Sequence, residues 1–77
     1  MQQYLVSARA SERDERARII GDFINRVRSL SDVEIVSTIG TPPTYLAIRA
    51  EPETISKLGK EQGGDIMIEP DAPLGYS

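Results

Sequence analysis

The chain has 77 residues, 39% of them hydrophobic and 27% charged, with a formal net charge of −3 and neither cysteine nor histidine. A single domain of this size holds a thin core, since a fold of about 60 residues buries only about 60% of its unfolded surface. The composition excludes a disulfide-stapled scaffold, thiolate or imidazole metal ligands, and any catalysis that depends on an imidazole or a thiol.

Charge is unevenly spread. Up to Leu30 the chain carries six arginines and four acids, a balance of +2; from Ser31 onward it carries three bases and eight acids, a balance of −5. An acidic second half argues against a nucleic-acid partner, whose phosphates require a basic face. No apolar run approaches the ~20 residues of a membrane span, so no membrane partner is expected. Met1-Gln2-Gln3 lacks the basic flank and apolar run of a signal peptide, and a cytoplasmic location is the matching expectation.

In chain order, residues 3–8 (Gln-Tyr-Leu-Val-Ser-Ala) are short, β-prone and largely apolar, and predict a first strand. Ser11 opens Ser11-Glu12-Arg13-Asp14, a capping-box-like start to a helix. Along that helix Ala17, Ile20, Phe23, Ile24, Val27 and Leu30 recur at three- and four-residue steps, an apolar stripe of helical period. Gly21 inside the stripe suggests a close approach of helix to sheet. Glu12–Arg16, Asp14–Arg18 and Asp22–Arg26 are acid-then-base pairs four apart, which reads the arginines as a self-neutralised solvent face.

Residues 32–39 alternate and are rich in β-branched side chains, predicting a second strand. Gly40-Thr41-Pro42-Pro43 is a turn, and residues 45–50 are a third strand paired to the second as a hairpin. Pro52 suits the first turn of a second helix, where a missing N–H does no harm, with Ile55 and Leu58 inward and Gly63-Gly64 ending it. Ile66-Met67-Ile68 is a last strand, and Pro70 and Pro73 are expected to keep the rest out of the sheet. The chain thus divides into a domain over 1–70 and an extended tail over 71–77. A β-α-β-β-α-β order predicts an α+β, ferredoxin-like sandwich: a four-stranded antiparallel sheet, first and third strands in the middle, both helices on one face.

The chemistry of such a domain is limited. No serine has an imidazole to activate it, no Gly-rich phosphate loop occurs, and no catalytic residue, metal ligand or cofactor site is expected. What remains is surface. Val33, Ile35, Leu46, Ile48, Ile66 and Ile68 supply a core; alternation then turns Val36, Tyr45, Ala47 and Met67 the other way, joined by Tyr4 or Leu5 according to register. An uncovered apolar face of that kind marks an interface. The tail, Glu69-Pro70-Asp71-Ala72-Pro73-Leu74-Gly75-Tyr76-Ser77, offers backbone for strand addition to another protein.

Three stretches resemble the family of subtilisin propeptide-like protease inhibitors. Gln3-Tyr4-Leu5-Val6 is similar to that family's opening strand, Ala50-Glu51-Pro52-Glu53-Thr54-Ile55-Ser56-Lys57-Leu58 to its strand-to-helix junction, and Ile66-Met67-Ile68-Glu69-Pro70-Asp71 to its last strand. The resemblance implies a non-covalent inhibitor, or a propeptide-like folding chaperone, of a subtilisin-type serine protease, monomeric when free. In such proteins the open sheet face docks on two protease helices. Glu69 and Asp71 would cap the N-termini of those helices, where the dipole favours carboxylates. Ser77, Tyr76, Gly75 and Leu74 would fill the first to fourth subsites of the cleft like a cleaved product. The alternative from residue pattern alone is a ferredoxin-like regulatory module that dimerises through its sheet or binds a small ligand; fold does not choose between them.

Overall fold

A computed structural model describes residues 2–62 and 64–70. Six elements follow one another: β1 (Gln2–Ala8), α1 (Arg13–Val27), β2 (Val33–Ile39), β3 (Tyr45–Ala50), α2 (Pro52–Gln62) and β4 (Ile66–Pro70). The strands form one sheet in the order β2-β3-β1-β4, and every pairing is antiparallel. The protein is therefore of α+β class, a four-stranded antiparallel sheet with two helices, and β3 and β1 hold the inner positions.

A single buried cluster joins these elements. From α1 it takes Ile20, Phe23, Ile24 and Val27, the one face that steps of three and four residues generate. From the sheet it takes Tyr4, Val6, Leu46, Ile48 and Ile66, and from α2 it takes Leu58. Val6, Ile20, Leu46 and Ile48 are completely buried, each such side chain contributing roughly 1.5–3 kcal/mol relative to exposure. Val33, Ile35, Ile55 and Ile68 pack against the cluster half-buried. Tyr4 lies in the core rather than on the opposite face. Its ring is buried while its hydroxyl donates to Gln2 Oε1 at 2.9 Å, so the polar end is satisfied.

Several local expectations are corrected. Helix α1 is capped by Glu12, with no side-chain hydrogen bond, and not by a Ser11 capping box. The lead-in is held instead by Arg16, whose Nη1 donates to the carbonyls of Ala10 and Ser11 at 3.0 Å each. That use of the guanidinium also removes it from the expected Glu12 pair. Arg18 turns to Glu15 one turn back, with Nε donating to Oε1 at 3.1 Å, and lies 3.6 Å from Asp22. Arg26 reaches across to Glu61, tying the end of α1 to the end of α2. Local contacts thus replace two of the pairs expected four residues apart, and a tertiary contact replaces the third. The side chains of the Arg18 and Arg26 ion pairs are about half exposed or more, and exposed pairs are worth roughly 1 kcal/mol or less.

Pro70 does not exclude itself from the sheet. It stands opposite Tyr4 at the end of β4, which is an outer strand where a missing N–H on the solvent side costs no ladder bond. The pairing also continues at the other end, where the Arg9 N–H donates to the Asp65 carbonyl at 2.8 Å. Gly21 marks no close approach: a Cβ built there meets nothing within 4 Å. Gly40, by contrast, needs its glycine. It has φ of +100°, and a Cβ would sit 3.1 Å from the Pro42 carbonyl oxygen in the β2–β3 turn. The Thr41–Pro42 peptide in that turn is cis. At the far end of β2, Thr54 Oγ1 donates to Asp32 Oδ2 at 3.1 Å, joining the start of α2 to the lead-in of the strand.

Candidate functional site

The candidate site is the sheet face turned away from the buried cluster. Strand alternation that sends Tyr4, Val6, Leu46 and Ile48 inward sends their neighbours Leu5, Ser7, Tyr45, Ala47 and Arg49 outward. Register assembles these into rows. One row runs Ile39, Tyr45, Ser7, Met67 across β2, β3, β1 and β4. The next runs Ser37, Ala47, Leu5, Glu69, and the third brings Glu34, Arg49 and Gln3 together.

The face is therefore graded along the strands. Its apolar part lies at the β2–β3 turn and its charged part at the opposite end. Among the described residues, the large hydrophobic side chains that stay exposed are Val36 at 44%, Ile39 at 51%, Tyr45 at 41% and Met67 at 37%. All four fall on this face, so the exposed apolar surface is gathered in one place and not scattered, as single surface hydrophobics normally are. Leu5, half-buried, is the β1 residue that joins them.

Ala47 is different from its companions. It is only 5% exposed and forms the floor between Leu5 and Ser37, since a single methyl does not rise above the side chains beside it. At the charged end Arg49 Nη1 lies 3.7 Å from Glu34 Oε1 across the β2–β3 pair, both well exposed. Glu69 is exposed at the outer strand, opposite Leu5, and has no ion-pair partner among the described residues. Asp71 and Leu74, Gly75, Tyr76 and Ser77 lie outside the described residues.

Ile39 is the residue that alternation from Val33 misses. Counting by twos from Val33 sends residues 35, 37 and 39 inward. The β2–β3 pairing shifts between Ile35 and Ser37, so that Val36 is an extra residue without its own partner on β3. A bulge of this kind resets parity, and from Ser37 onward the outward positions become 37 and 39. Nothing in residues 33–39 signals the bulge, since every one of them is compatible with regular strand. It shows only in the pairing, where Ile35 stands opposite Ile48 and Ser37 opposite Ala47.

Elsewhere the surface offers less. A shallow, open hollow at the β1–α1 junction is lined by Arg9, Ala10, Ser11, Glu12 and Glu15. Hydrogen bonding from Arg18 holds the Glu15 carboxyl below the usual glutamate range, opposed by desolvation and aided to a lesser extent by the charge of Arg18. No set of three or more metal-ligating side chains gathers among the described residues. Among the same residues, no helix is long and apolar enough to cross a membrane. Comparison with protein-family models, curated proteins and solved structures found no match. The functional reading therefore stands on the geometry of the face and on the residue pattern.

Proposed function

We propose that the protein is a non-covalent inhibitor, or propeptide-like folding chaperone, of a subtilisin-type serine protease. The observation that carries this reading is the gathering of Val36, Ile39, Tyr45 and Met67 on one outward sheet face. Their removal from water on docking is the driving force. The proposal takes the fold as a ferredoxin-like sandwich with both helices on one side. Its support is the β-α-β-β-α-β order and one core cluster drawing on both helices and on β1, β3 and β4. The protein acts by occupying its partner and performs no catalytic step, and no cofactor or metal enters.

In this reading the sheet face lies on the protease surface, and Leu74-Gly75-Tyr76-Ser77 enters the cleft as a product-like strand, its backbone giving affinity and Leu74 selectivity. Glu69, exposed and without an ion-pair partner among the described residues, supplies a carboxylate to a helix N-terminus of the protease, together with Asp71. The free protein is a monomer, and its proposed location is cytoplasmic.

The test is titration of the full chain, and of a variant lacking residues 74–77, into a subtilisin-type protease assay, with sizing of the free protein alongside. The full chain inhibits, the shortened chain does not, and both melt at the same temperature. Equal inhibition by both forms would show the tail mechanism to be wrong. If neither form inhibits and the free chain is a dimer, the same face is instead a self-association surface and the regulatory module is the better account.

A further inference from the structure

No further inference is drawn: the strongest candidate, the apolar sheet face bearing Val36, Ile39, Tyr45 and Met67, belongs to the surface already proposed for docking, and nothing in the structure shows what else covers it.

Discussion

Replacing Tyr45 with glutamate separates binding surface from structural surface. A tyrosine side chain buries roughly 150–250 Å² when fully covered. Tyr45 is 41% exposed in the free protein, which leaves about 60–100 Å² for a partner to cover. At about 25 cal/mol per Å² that area is worth roughly 1.5–2.5 kcal/mol, or about ten- to sixty-fold in affinity at ~1.4 kcal/mol per decade. A carboxylate at the same place adds a desolvation penalty, so the loss in Tyr45→Glu exceeds that range. The free fold also loses part of the area that Tyr45 already covers, so the loss in binding is read against the melt of the same variant, at a temperature where it stays folded. Ile48→Ala is the control. That side chain is fully buried in β3 opposite Tyr4 and Ile35, and its truncation costs roughly 2–5 kcal/mol. Thermal melts and protease inhibition constants measured on both variants decide the matter. Destabilisation of Tyr45→Glu as large as that of Ile48→Ala, with inhibition unchanged, would refute the assignment of the face as a docking surface.

Three further outcomes follow from particular residues. Gly21→Ala stabilises the protein by about 1 kcal/mol, since alanine is the better helix former and its Cβ meets open space. For a domain of this size the melting temperature rises by roughly 4–8 °C, and a fall would mean that α1 packs more closely than described. Ile39→Glu, beyond the bulge, leaves the melting temperature within a few degrees and weakens inhibition as Tyr45→Glu does; loss of the fold would place Ile39 in the core and remove the bulge. The Glu15 carboxyl titrates below an ordinary glutamate, and Arg18→Gln moves its NMR midpoint upward. Because the folded-state value is the lower one, the linked stability is present above the unfolded-state value and is lost as pH falls through the folded one. An unmoved midpoint would show that Arg18 is not the cause.

Where local spacing alone decides, the residues are legible in the sequence. The run Ile20, Phe23, Ile24, Val27 has one helical face whatever it packs against, and the third strand's bounds, Tyr45–Ala50, are those of its β-prone run. Pro52 at the start of α2 follows from a ring that fixes φ and lacks an N–H. Likewise the lack of cysteine and histidine restricts the chemistry through composition alone, whatever shape the chain adopts.

Other features depend on what the chain meets after folding, and only the tertiary structure decided them. Which of Tyr4 and Leu5 is buried turns on the pairing of β1 with β3 and β4, because a one-residue slip would exchange the two faces. Pro70 is tolerated in β4 only because that strand lies at the sheet's edge, a fact of strand order and not of residue type. Arg26 bonds Glu61 across 35 positions because two helix ends come together, whereas its expected partner, Asp22, lies on its own helix. The outward turn of Ile39 comes from a bulge that is visible only in the pairing of β2 with β3. Periodicity is a property of a segment and can be read from it. Register, edge position and bulges are properties of pairs of segments, and no single segment contains them.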